Sequence, residues 1–149
     1  MATHAERRVL PYTPLQIYAL VADVERYPEF LPWCRAARIT RRNGNVIHAD
    51  LVIGFKMFRE RFSSKVTLNP PESVHVDYIK GPMRHLNNHW RFEPHENGCL
   101  VDFYVDFEFR SAFLDAAIDL LFHEAARRMV SAFEARAKKL YGSPSSPSK

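Results

Sequence analysis

The sequence predicts an α+β domain in which an antiparallel sheet of about seven strands wraps around one long C-terminal helix, with two small helices inserted after the first strand. Three observations carry this. Val101-Asp-Phe-Tyr-Val-Asp-Phe-Glu-Phe109 alternates so that Val101, Phe103, Val105, Phe107 and Phe109 share one face and Asp102, Tyr104, Asp106 and Glu108 the other, the signature of a half-buried strand. From Ser111 to Leu140 the spacing changes to three and four, with Leu114, Ile118, Leu121, Phe122, Ala125, Met129, Ala132, Phe133 and Leu140 on one stripe. Between residues 36 and 109 strand-like segments follow one another through turn dipeptides with no helical segment, which predicts a meander. A chain of 149 residues is one domain that buries about 70% of the surface its unfolded form exposes, here over residues 1–141.

Each element has a local reason. Thr13-Pro14 opens a short helix over Leu15 to Val21, with Thr13 as cap and proline in the first turn. Tyr27-Pro-Glu-Phe-Leu-Pro-Trp-Cys34 then places two prolines among three aromatics and a leucine. Proline fixes φ and restricts the residue before it, so this wedge holds a bent path at little entropic cost. It either plugs one end of the core or presents Phe30 and Trp33 at the mouth of a cavity. Ala36–Arg42 and Val46–Phe55 form a hairpin through Asn43-Gly44, the second strand facing Ile47, Ala49, Leu51, Ile53 and Phe55 inward. In Phe58–Leu68 the row Phe58, Phe62, Val66, Leu68 also holds Glu60 and Ser64, so polar groups enter the core or the strand carries a bulge. Ser73–Ile79 and Leu86–Phe92 are joined through Gly81-Pro82, the second with Leu86, Asn88, Trp90 and Phe92 on one face, and Asn97-Gly98 makes the next hairpin. Ser111 caps the last helix, about 45 Å long, and Gly142 stops it. The Pro/Ser tail over 142–149 is expected to be disordered.

A long helix laid over the concave face of such a sheet is a helix-grip arrangement. Where helix and sheet diverge they leave a cleft, and clefts that take small apolar molecules run to about 300–1,000 Å³. The chemistry of catalysis is missing from the chain. His85 and His89 are about 13 Å apart on a strand, too far to share a metal ion. Asp102 and Asp106 lie on the outward face, and no nucleophile elbow, phosphate loop or dinucleotide fingerprint occurs. Glu60, Ser64 and Asn88 either orient a ligand's oxygen atoms or satisfy one another. Cys34 and Cys99 stand alone, without zinc or disulfide spacing, which fits a reducing cytoplasm. The first eight residues are charged with no apolar run behind them, so no secretory leader is expected. The net charge of +4 gathers partly in Arg35, Arg38, Arg41 and Arg42, a cluster that can meet anionic lipid or RNA phosphate and, lying next to the wedge in sequence, is expected to hold the cavity mouth against anionic headgroups; nothing points to DNA.

Asp23-Val24-Glu25 with the wedge, Gly54-Phe55, Gly81-Pro82 with Leu86 and Trp90, Val105-Asp-Phe-Glu-Phe109, and Met129, Phe133 and Arg136 resemble the coenzyme Q-binding START-domain family. Bacterial members of that family are also described as ribosome association toxins, and the larger superfamily holds polyketide cyclases and lipid carriers. The resemblance implies a START-like, non-enzymatic protein without a resident cofactor, which holds ubiquinone or a related isoprenoid quinone or lipid and supports respiratory electron transport. It further implies a cytoplasmic location, in part peripheral to the inner membrane. Pro32 and Trp33 become entrance residues, Leu51, Phe55, Phe62, Trp90, Phe103 and Phe107 sheet-side lining, and Leu121, Ala125 and Met129 the helix side. The alternatives are a toxin-like protein that binds the large ribosomal subunit, and an aromatic polyketide cyclase.

Overall fold

The computed structural model describes residues 2–55 and 58–142, except the side chains of Phe55 and His123. The Pro/Ser tail beyond Gly142 lies outside them. Seven strands run in the order β1-β7-β6-β5-β4-β3-β2: β1 Ala2–Leu10, β2 Cys34–Asn43, β3 Val46–Phe55, β4 Phe58–Asn69, β5 Ser73–Lys80, β6 Met83–His95 and β7 Gly98–Phe109. Every neighbouring pair is antiparallel. Helix α1 (Pro14–Ala22) and a 3-10 turn (Val24–Glu29) lie between β1 and β2, and α2 (Ala112–Tyr141) closes the chain. The predicted fold class is the observed one.

The caps are those the sequence names. Thr13 Oγ1 accepts from Gln16 N at 3.1 Å while the Gln16 side chain accepts from Thr13 N at 2.9 Å, a reciprocal capping box. Ser111 Oγ accepts from Leu114 N at 3.1 Å, and Gly142, at φ +87°, ends α2 by donating to the Lys138 carbonyl. The alternation of β7 buries Val101, Phe103, Val105 and Phe109. In β4 both anticipated solutions occur together: Ser64 is buried, and the register against β5 shifts between Ser63 and Ser64.

The buried face of α2 is narrower than the sequence stripe. Leu114, Phe122, Ala126, Val130, Phe133 and Ala137 are buried, whereas Leu140 is 53% exposed. A straight 3.6-residue helix drifts off a row chosen by threes and fours alone, which carries Leu140 to the outside. The second half of α2 is pinned at several points: Arg8 donates to Ser131 Oγ at 3.0 Å, Arg136 pairs with Glu29 at 2.6 Å, and the Tyr141 and Tyr12 hydroxyls donate to the carbonyls of Gln16 and Gly142. The first half is held by buried Leu114, Phe122 and Ala126, by Phe113 against Phe58, and by the Asp115 carboxylate, which accepts from Phe109 N at 3.0 Å. The helix lies closest to β1, β7 and α1. It therefore leaves the inner faces of β3 to β6 partly uncovered.

Gly98 fixes the opposite end. Its φ is +132°, and a Cβ there would stand 2.1 Å from the Leu10 carbonyl oxygen, where β1 leaves the sheet. Gly98→Ala combines backbone strain with a clash against main chain, so we expect a loss of at least about 2–3 kcal/mol in urea unfolding. A loss below about 1 kcal/mol would mean that β1 shifts freely at this point.

Candidate ligand cavity

The wedge divides its residues between two tasks. Tyr27 and Phe30 meet Phe133 of α2 edge-on at 5.5 and 5.1 Å, the Arg136 guanidinium lies 5.1 Å over the Phe30 ring, and Leu31 is buried. These residues plug the end of the core under α2, and Tyr27 and Leu31 also reach the wall of the cavity between α2 and the sheet. The Tyr27 hydroxyl donates to the Val21 carbonyl, its pKa raised by burial. Pro32 is exposed and stands outside the cavity wall; it turns the chain so that Trp33 faces inward. Trp33 is half-buried on the wall, its carbonyl accepting from Gly54 N at 2.9 Å.

Between α2 and the inner sheet face is a cavity of about 190 Å³. Of the positions the sequence proposes, Trp33, Leu51, Phe62, Trp90, Phe103, Phe107, Ala125 and Met129 lie on its wall. Leu121 does not: it follows Ile118 and precedes Phe122, which do, and a helical step of about 100° turns it aside. Phe55 ends β3 beyond the described side chains. Trp90 packs on Phe103 at 4.5 Å and on Phe133 at 4.9 Å, and Phe107 meets Phe122 edge-on at 5.0 Å, so aromatic contacts tie sheet to helix on either side of the space. The 3-10 turn adds Val24, and the β5 and β6 rows add Val74, Val76 and Leu86. Leu86 was readable from its place in the Trp90 row; Val24 was not, because its orientation depends on how the turn folds back.

Ser64 and Asn88 are both in the wall, and they do not satisfy one another. Ser64 Oγ donates to the Ala49 carbonyl at a long 3.4 Å, and Asn88 Nδ2 donates to the Tyr104 carbonyl at 2.8 Å. Glu60 stands off the wall, opposite Ile53 on β3. Among the described residues the wall carries no carboxylate, imidazole, amine or guanidinium. Cys34 and Cys99 are buried away from it, and desolvation pushes both thiols up to about 11, which leaves little thiolate for nucleophilic chemistry at neutral pH. His89 points to the outer face, stacked between His75 at 6.1 Å and Tyr104 at 5.3 Å, while His85 pairs with Asp106 at 3.0 Å. No group of three metal-ligating side chains occurs among the described residues.

The arginine cluster does not gather at the wedge. Arg35 lies against Gly54 at the wedge end, but β2 is extended, so Arg42 stands about 23 Å further along it, by the Asn43-Gly44 turn. Neighbours in sequence are spread along an edge here.

Trp33→Ala tests whether the half-buried indole is wall or plug. We expect it to cost well under the roughly 3–5 kcal/mol of a fully buried tryptophan while ligand affinity falls several-fold. Normal binding after a loss of that full size would make Trp33 a plug.

Sheet, gripped helix and the apolar space between them together define a START-like helix-grip protein. Residues 10–134 match the family model described as polyketide cyclase/dehydrase and lipid transport, and the chain belongs to that family. It is 37% identical over 144 residues to the ribosome association toxin RatA of Rickettsia prowazekii, covering 94% of this chain and 99% of that protein. It is 35% identical to the mitochondrial coenzyme Q-binding protein COQ10 homolog B of Xenopus laevis, over 93% of this chain but 59% of that one. The solution structure of the 18 kDa protein CC1736 from Caulobacter crescentus is 39% identical and superposes with a TM-score of 0.78, covering 96% of this chain and all of that one.

Proposed function

We propose that this protein binds a hydrophobic ligand, an isoprenoid quinone such as ubiquinone, in the cavity between α2 and the sheet, and makes it available to respiratory electron transport without transforming it. The observation that carries the reading is the cavity itself: a wall of aromatic and aliphatic side chains whose polar groups are few and uncharged. An aromatic polyketide cyclase needs a positioned acid or base at the reacting carbon; the wall offers the Asn88 amide, the Ser64 hydroxyl and the Tyr27 phenol, the last engaged with the Val21 carbonyl and its pKa raised by burial. Similarity to a coenzyme Q-binding protein supports the choice of ligand. The described helices include none long and apolar enough to cross a membrane.

Organic extracts of the purified protein, analysed by mass spectrometry, test this. A quinone at near-stoichiometric amount is the expected result. Extracts without quinone, together with failure of added quinone to quench tryptophan fluorescence, would overturn the reading.

Association with the large ribosomal subunit is the second reading, favoured by the nearly full-length match to a ribosome association toxin and by Arg38, Arg41 and Arg42, exposed along the edge strand β2. Replacing these three by glutamine separates the two. Loss of co-sedimentation with ribosomal subunits while bound quinone is retained would establish the ribosomal role.

A further inference from the structure

Asn88 lies in the middle of β6, opposite Val76 on β5 and Val105 on β7, and faces the cavity. A carboxamide among hydrocarbon is unfavourable unless its hydrogen-bonding capacity is used. One part of that capacity is used within the sheet. The partner of Nδ2 is a backbone carbonyl, which can only accept, so the nitrogen end of the amide is fixed toward β7 and Oδ1 points elsewhere. Oδ1 has no partner among the described residues, yet no fully enclosed side-chain nitrogen or oxygen lacks one. Oδ1 is therefore open to the cavity, beside the second hydrogen of Nδ2.

We propose that Asn88 is the docking point for the oxygen-bearing ring of the ligand, which enters ring first and leaves its hydrocarbon tail to run out past Trp33 and the first half of α2. This rests on the quinone-binding reading above. Volume supports the direction: about 190 Å³ exceeds the roughly 150 Å³ that suffices for a benzene ring but falls short of the roughly 300 Å³ at which drug-sized pockets begin. A substituted ring fits; a polyprenyl chain does not. The route outward is apolar. Ile53, Leu86 and Ile118 are half-buried on the wall, so the way out between the sheet and α2 is lined by hydrocarbon. A tail-first ligand would press methylenes against Asn88 and leave its amide unpaired in a drier site.

The test measures binding of two probes, a short-tailed ubiquinone and an alkylbenzene with the same tail, to wild type and to Asn88→Leu, which keeps the bulk and removes the hydrogen bonds. The variant should bind the quinone about three- to tenfold more weakly and the alkylbenzene as well as wild type or better. Undiminished quinone binding by Asn88→Leu overturns the proposal. Should that variant fail to fold, wild type decides: affinity for the quinone no higher than for the alkylbenzene overturns it. If wild type binds neither probe, the quinone reading falls and the docking point with it. Direction is read separately with a quinone brominated at the tail end. Trp33, observed in Trp90→Phe, should be quenched more than Trp90, observed in Trp33→Phe; the reverse order overturns ring-first entry.

Discussion

Ala125→Phe should abolish ligand binding while leaving the protein folded and at least as stable. Ala125 is on the cavity wall, near the middle of α2. A phenyl ring needs a space of roughly 150 Å³, most of the 190 Å³ present, so no ligand ring can share the space. The substitution fills a void instead of forcing apart a packed contact, and filling a void commonly adds about 0.5–2 kcal/mol. Affinity for a short-tailed quinone should fall by more than about 100-fold, equivalent to roughly 2.8 kcal/mol. Titration calorimetry on a variant whose thermal midpoint is equal or higher would show it. Unchanged affinity would place the ligand on another surface.

The same volume bears on how the molecule exchanges its ligand. Arg8, Tyr12, Glu29 and Gln16 hold the second half of α2 by hydrogen bonds and an ion pair, while the first half rests on Leu114, Phe122 and the hydrogen bond that Asp115 accepts from Phe109 N. Outward movement of that half enlarges the space and spares the contacts of the second half, at the cost of the Phe107–Phe122 contact and the Asp115 hydrogen bond.

Much of this was legible in the sequence because it follows from period. Alternation along β3 and β7 assigned Leu51, Phe103 and Phe107 to the inner face without reference to any partner strand, and the Phe62 and Trp90 rows behaved alike. The helix was harder. Its apolar residues are too many for one face, and only contact with β1, β7 and α1 decides that Phe122 and Ala126 face in while Leu121 and Leu140 turn away. The wedge held two alternatives that composition could not separate, because Tyr27, Phe30 and Trp33 are equally apolar. Their roles diverge through Phe133, more than a hundred positions away in the chain, which captures the first two rings: Phe30 is withdrawn from the cavity, whereas Tyr27 still borders it beside Trp33. The arginines failed for the converse reason: spacing in sequence says nothing of distance until it is known that the strand is extended.

Phe133→Ala should be the most damaging single truncation at this junction. The ring is 1% exposed and meets Tyr27, Phe30 and Trp90 at 5.5, 5.1 and 4.9 Å, so it joins wedge, helix and sheet. Removing it forfeits its own burial and three aromatic contacts, and the void left behind opens into a cavity already present, which prevents the neighbours from closing over it. Truncation of a buried phenylalanine costs about 3–5 kcal/mol, and the poor prospect of collapse puts this site at the upper end. For a chain of this length each kcal/mol lowers the thermal midpoint by roughly 2–4 °C, so a fall of about 10–15 °C is expected. In urea the midpoint should drop with the slope unchanged. A loss below about 1 kcal/mol would show that Tyr27 and Phe30 repack without Phe133, and the wedge would then be held by Leu31 and the Glu29–Arg136 pair instead of by its rings.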